Sequence, residues 1–176
     1  RTHGMSTTDI GLWLGLIMGI AGGLGMFLGG WIADKLGAKD TRWYLWSVAV
    51  AMVVAVPFGL YSYLASDPYI ALLLFVVPIF AGNFWQATSF AQTQGLVRLR
   101  MRSVASSILL FVANIVGLGA GPWAVGLVSD LLAPEYGQDS LRWSLMLFGS
   151  MNLWVAWHFY VGGKHLKADL ARVDEA

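Results

Sequence analysis

The chain has 176 residues, of which 57% are hydrophobic and only 12% charged, with a formal net charge of +1. A soluble domain carries about 25% charged and about 45–50% apolar residues, so this composition, with a mean hydropathy of +0.65, excludes an ordinary soluble fold and describes an all-α polytopic membrane protein. The absence of cysteine excludes disulfides and thiolate metal sites, and no basic stretch interleaved with aromatics in a polar setting is present to engage nucleic acid.

The first nine residues are polar. Ser6, Thr7, Thr8 and Asp9 all favour a helix N-cap, and Asp9 suits the positive helix N-terminus. His3 reads as a plain loop histidine. A first span is expected over 10–33, without a single charge, and long enough to cross a hydrocarbon core of roughly 30 Å at about 1.5 Å per residue. Its glycines recur every fourth residue at Gly11, Gly15, Gly19 and Gly23, with a second set at Gly22, Gly25 and Gly29. Glycine weakens a helix in water, so this density calls for close approach by another helix, either a fixed contact or a sliding one.

A charged turn follows, with Asp34, Lys35, Lys39, Asp40 and Arg42 falling within nine positions. A second span, 43–65, is apolar nearly all round, with Pro57 and Gly59 marking a kink, and is expected at the lipid-facing periphery. A third span, 69–96, is apolar to Pro78 and then unusually polar: Asn83, Gln86, Thr88, Ser89, Gln92, Thr93 and Gln94. Asn83, Gln86, Phe90 and Thr93 share one helical face, with Phe84 and Trp85 alongside. Polar groups are costly in hydrocarbon unless paired or wetted, so this face points to a lined cavity or to interhelical hydrogen bonds.

The basic loop 97–103 leads to a fourth span, 104–128, holding Asn114 and a ladder-breaking Gly121-Pro122, with Gly117 nearby. Asn114 is open to two roles, a hydrogen bond to a neighbouring helix or a ligand contact. The stretch 131–141 is expected as the longest outer loop. A fifth span, 143–162, contains Asn152 and His158, the latter an interface anchor, and a mixed-charge tail, 163–176, is expected to start helical and then fray. The nine tryptophans and six tyrosines suit interfacial belts and cavity walls.

Nine of the eleven Lys and Arg residues fall after the first, third and fifth spans, and two, Arg1 and Arg142, on the other side. The positive-inside rule places the nine, and the C-terminus, in the cytoplasm. Five crossings then leave Arg1 outside. Five spans with an external start imply at least one further span before Arg1, and the start at arginine rather than methionine reads as a fragment.

Gly30, Asp34-Lys35, Gly37 and Lys39 resemble the signature loop of the major facilitator superfamily, with Ala38 standing where a basic residue is usual. Three further stretches resemble its spinster-like branch: D-I-G-L-W-L-G from Asp9, G-N-F-W-Q-A from Gly82, and G-L-G-A-G-P-W-A-V-G-L-V-S-D from Gly117. The resemblance implies helices 8 to 12 of a twelve-helix transporter, a partial C-terminal half whose missing partner is the N-terminal half of the same chain. It also implies a plasma (inner) membrane location and alternating access by rocking of two halves around a midplane site.

On this basis the expected function is secondary active or facilitative transport of an organic, amphipathic or lipid-like small molecule. Asn83, Trp85, Gln86, Phe90 and Asn114 would form the substrate wall. Gly30, Asp34, Lys35, Gly37, Lys39 and Arg42 would form the gate, and Gly11, Gly15, Gly19, Gly23, Gly117, Gly121 and Pro122 the helix packing contacts. No cofactor or metal is expected. No Asp, Glu, Lys or Arg lies deep in any span, so a coupling carboxylate would have to lie upstream, or the protein is a uniporter. The alternative is a non-transporting receptor or scaffold of the same fold. A membrane enzyme fares worse: there is no intramembrane aspartate pair, no H-E-x-x-H, no G-x-S-x-G and no histidine-rich metal box.

Overall fold

A computed structural model of the chain describes residues 6–174; the expectations for Arg1 and His3 lie outside them. The first helix begins where the polar run ends. Ser6 is its N-cap, with Oγ accepting the Asp9 backbone N–H at 3.1 Å. Helix α1 (Thr7–Leu16) passes through a wide π turn (Ile17–Ala21) into α2 (Gly22–Gly37). The helix therefore continues beyond Ala33, and Asp34, Lys35 and Gly37 lie on its last turns rather than in a loop. Only residues 38–42 make the turn into α3 (Trp43–Leu64).

Asp67 starts the next helix by accepting the backbone N–H groups of Tyr69 and Ile70 at 2.8 and 3.1 Å, with Pro68 in the first position, where a missing N–H costs nothing. The expected continuous third span is in fact two helices, α4 (Pro68–Gly82) and α5 (Phe84–Gly95). They part at Asn83, whose φ of −91° and ψ of −4° lie well off regular helix values, and whose N–H reaches back three residues to Phe80 O at 3.3 Å. A 3₁₀ turn at Leu99–Met101 then leads into α6 (Arg102–Val112), a π segment (Ala113–Ala120) and α7 (Gly121–Tyr136). The π segment ends just before Pro122, which cannot donate to the helical ladder.

Helix α7 runs through most of the expected outer loop, and Pro134 is accommodated inside it. The chain then reverses at Gly137–Asp139. Gly137 has φ +53°, the one backbone position of this kind among the described residues, and glycine adopts it without a Cβ clash. Helix α8 (Ser140–Ser150) folds back on α7: the hydroxyls of Ser129 and Ser140 are 3.2 Å apart, whereas eleven residues of straight helix would separate them by about 16 Å. After a break at Met151, α9 (Asn152–Asp174) carries the expected tail as helix to the end of the described residues.

Among the described residues, four continuous helical stretches are long and apolar enough to cross a membrane: Thr7–Gly37, Trp43–Leu64, Pro68–Gly95 and Leu99–Val173, the last being the one that doubles back. The protein is an integral membrane protein on these grounds.

Among the described residues packing centres on one face of α3, while Val50, Val53, Val54 and Tyr61 on its other face stay exposed. Val48, Ala49, Ala51, Met52 and Ala55 are buried in a cluster completed by Ala81, Phe84 and Ala156. Helix α3 touches α2, α4, α5, α8 and α9. Side chains here are small, so the helices sit close together. By contrast α6, the π segment and α7 hold no buried residue.

The second glycine set makes the close crossing of this fold. A Cβ on Gly25 would run into the Phe80 carbonyl oxygen, and one on Gly29 would lie 2.8 Å from Phe84 Cα. Gly22 faces the Asn83 side chain. The expected set, Gly11, Gly15, Gly19 and Gly23, has nothing within 4 Å of where a Cβ would sit, and neither has Gly117. Gly121 meets only Val116 O of its own helix, and Pro122 is exposed. These positions make no packing contact among the described residues.

Ser144 ties the α7–α8 hairpin. It is fully buried, and its Oγ donates to Val125 O at 2.7 Å. Ser144→Ala is expected to cost about 1 kcal/mol and to lower the melting temperature of the purified full-length protein by about 1–2 °C, read by intrinsic fluorescence on heating.

Candidate functional site

The polar run of the third span divides according to what its side chains do. Asn83 Nδ2 donates to Ile79 O at 2.7 Å while the side chain fills the space left by Gly22. Thr88 is buried and its Oγ1 donates to Phe84 O at 3.0 Å. Trp85 packs against the buried cluster around α3. Gln94 Nε2 donates to Ser106 Oγ on α6 at 3.1 Å. Asn83 and Thr88 thus bond to the backbone one turn earlier, Trp85 packs, and Gln94 joins α5 to α6.

Gln86, Ser89 and Thr93 are different. They lie at i, i+3 and i+7 on α5, with Phe90 beside them, and so share one face. Phe84 and Thr88 mark the opposite, buried face. Gln86, Ser89, Phe90 and Thr93 are half-buried, and among the described residues the three polar side chains have no hydrogen-bond partner. In an apolar chain, three unpaired polar groups in a row on a helix need water or a polar ligand.

The five residues expected as a wall are therefore not assembled as one. Gln86 and Phe90 lie on the open face of α5. Asn83 and Trp85 serve packing. Asn114 sits on the π segment, exposed, with Nδ2 bonded to Leu110 O of its own helix at 2.8 Å. Ser89 and Thr93 belong with Gln86, and their i, i+3, i+7 spacing was the available signal.

Among the described residues, the space between helices at this site is too small for an organic ligand. A cavity of about 60 Å³ lies between α3, α4 and the α8–α9 break, beside Gly59, Tyr63, Pro78 and Asn152. Drug-sized ligands need about 300–1,000 Å³; this one has room for water. The Asn152 amide meanwhile donates to Gly149 O at 3.0 Å. His158 is exposed, bonded to Trp154 O at 2.9 Å and in ring contact with Trp154.

At the charged turn, two glycines have a steric reason. A Cβ on Gly30 would lie 3.3 Å from Ala87 Cβ of α5, and one on Gly37 would lie 2.6 Å from the Tyr44 ring. The cations lean on aromatics: Lys35 Nζ lies 4.8 Å from the Trp31 ring centre and Arg42 Cζ lies 5.8 Å from that of Trp46. Lys39 is exposed. Asp40 Oδ1 accepts the Arg42 backbone N–H at 3.0 Å. The Asp34 carboxylate is exposed and takes part in no ion pair among the described residues. The turn thus presents one uncommitted carboxylate beside Lys35 and Arg42, which lie over rings, and the exposed Lys39.

No protein-family model matches the chain. A curated relative does: the chain is 32% identical over 177 aligned positions to a protein of Mycolicibacterium smegmatis (strain ATCC 700084 / mc(2)155) named "MFS-type efflux pump". The alignment takes in 100% of this chain and 41% of the relative, so the chain spans about two fifths of the length of the curated relative it matches. Along its whole length, then, the chain is similar to part of a major facilitator efflux pump.

Proposed function

We propose that the chain is the C-terminal part of a major facilitator transporter, crossing the membrane five times, with Leu99–Val173 counted as two crossings because it reverses at Gly137. It acts with a second set of helices, for which the longer relative has the length. It carries an organic, amphipathic small molecule by alternating access, and the relative's name supports export as the direction. The resemblance of three stretches to the spinster-like branch supports a lipid-like substrate. The Lys and Arg bias supports a plasma-membrane orientation with the C-terminus cytoplasmic. The transport role needs no cofactor and no catalytic residue.

The observation that carries this proposal is the unpaired face of Gln86, Ser89 and Thr93, with Phe90 beside it, in a chain otherwise apolar through its spans. Such a face can hydrogen-bond a substrate's polar end while an aromatic ring covers its apolar part. The test is transport by the full-length protein in proteoliposomes against a panel of amphipathic solutes. Gln86→Ala is expected to reduce kcat/KM for the preferred solute about threefold to tenfold, the worth of one hydrogen bond. Gln86→Ala with Thr93→Val is expected to reduce it further, at unchanged melting temperature. Unaltered kinetics in the double variant would remove this face from the substrate path. No transport of any solute by the wild type would favour the receptor or scaffold alternative.

A further inference from the structure

Helix α9 runs on past the apolar part of its span and reaches the end of another helix. Its apolar part closes on the start of α3 through Gly162 and Gly163. A Cβ on Gly162 would sit 3.3 Å from Leu45 Cδ1, and one on Gly163 would sit 2.5 Å from Trp46 Cδ1 and 3.1 Å from Arg42 O. From Lys164 the sequence turns charged, yet the helix continues unbroken to Asp174. Leu166, Leu170 and Val173 fall at i, i+4 and i+7 and share one face. Leu166 is 2% exposed, and Leu170 and Val173 are half-buried. Lys164, His165, Lys167 and Arg172, on the other faces, are exposed. Leu170 reaches the last residue of α5: a Cβ on Gly95 would lie 3.3 Å from Leu170 Cδ2.

Two features set this segment apart from the span it extends. A charged, amphipathic stretch is held by its apolar stripe rather than by hydrocarbon around it, so Leu166 and Leu170 are what keep it docked. The consecutive Gly162 and Gly163 directly precede it, and a glycine pair is a place where a long helix bends. The contact with α5 also falls at a telling point. Gly95 is two residues from Thr93, the end of the unpaired polar face, and next to Gln94, whose amide joins α5 to Ser106 of α6.

Taking the chain as part of a transporter, as proposed above, we infer that residues 164–173 are a strap on the α5–α6 hairpin. Docked through Leu166 and Leu170, the strap holds the end of α5 in place; bending at Gly162–Gly163, it lifts and frees that end to move. A contact made in one conformation only adds to the stability of that conformation and slows the step that leaves it. The strap thus sets how readily the helix carrying the polar face moves, without touching a substrate itself.

The test uses the full-length protein with a single thiol introduced by Gly95→Cys, any cysteine upstream of this chain being replaced; the chain has none of its own. The probe is a water-soluble maleimide, applied in detergent. Leu166 lies one turn before Leu170, so Leu166→Gln uncovers position 95 only if the strap lifts as a unit. It is expected to raise the labelling rate about tenfold, as is ending the chain after Gly163, while Lys167→Gln stays within about twofold of the parent. In proteoliposomes Leu166→Gln is expected to speed transport about threefold. If Leu166→Gln lowers the yield of folded protein, the chain ended after Gly163 gives the same readouts. Equal labelling with and without the strap would overturn the docking. Faster labelling with transport unchanged or slowed would overturn the restraint. A parent protein that moves no solute would count against the transport reading, and the labelling rates would still decide whether the strap docks and lifts.

Discussion

Gly25→Ala in the full-length protein is expected to lower the melting temperature by about 3–6 °C, and Gly25→Ala/Gly29→Ala to leave little folded protein in the membrane. The obstacle is backbone, which cannot rotate away as a side chain would. A Cβ at Gly25 meets the Phe80 carbonyl oxygen, and its carbon lies 2.9 Å away; at Gly29 the new atom meets Phe84 Cα and Cγ at 2.8 and 2.9 Å. Overpacking costs about 1–3 kcal/mol in general. With two helix backbones in contact the cost lies at the upper end, and each kcal/mol moves the melting point by about 1–2 °C in a protein as long as the relative. The crossing also fixes the break at Asn83, because Phe80, Asn83 and Phe84 are the residues against which Gly25, Gly22 and Gly29 lie. Separating the helices would therefore disturb the polar half of the third span as well. Gly15→Ala is the contrasting case. Nothing lies within 4 Å of a Cβ there, and alanine favours a helix by about 1 kcal/mol over glycine. It is expected to leave the melting temperature in place and to act, if the face is a moving contact, on transport rate. A melting loss equal to that of Gly25→Ala would make the face a fixed contact instead.

Asp34→Asn is expected to lower the transport rate about tenfold or more without changing the amount of folded protein. The carboxylate is exposed at the last turn of α2 and holds no ion pair among the described residues, so the fold of this chain does not depend on it. Its neighbours Lys35 and Arg42 are engaged with Trp31 and Trp46. A charge left uncommitted at a helix end can favour one conformation by pairing with a group that arrives only in that conformation. Charge-assisted hydrogen bonds are worth about 1.5–3 kcal/mol, or about tenfold to a hundredfold in a rate or population. Removing the charge and keeping the shape isolates that contribution. An unchanged rate would take Asp34 out of the gate, and a fall in folded protein would make its role structural.

The residues of the candidate site were legible to different degrees. The polar run after Pro78 stands out because amides and hydroxyls are rare in apolar spans, and its helical spacing already placed Gln86 and Phe90 on one face. The same spacing grouped Asn83 with them, because periodicity treats a helix as unbroken. The break at Asn83 rotates that residue toward Gly22. Trp85 was read as a wall for its aromatic ring, but a tryptophan serves a core equally well, and this one faces the α3 cluster.

Local chemistry determined what could be read along the chain: uncharged runs long enough to cross hydrocarbon, caps at Ser6 and Asp67, and a charged turn bounded by Gly30 and Arg42. Each of these depends on neighbours within a few residues, or on the cost of moving charge out of water. Tertiary structure alone decided which of two glycine faces on the first helix carries a partner, because spacing defines a face but not what lies opposite. It alone decided that packing centres on one face of α3, because lipid and a protein interior are both apolar and select the same side chains. It also decided that 131–136 is helix and that the reversal falls at Gly137, where α8 packing against α7, through Ser144 and Val125, outweighs the turn signals of the intervening residues.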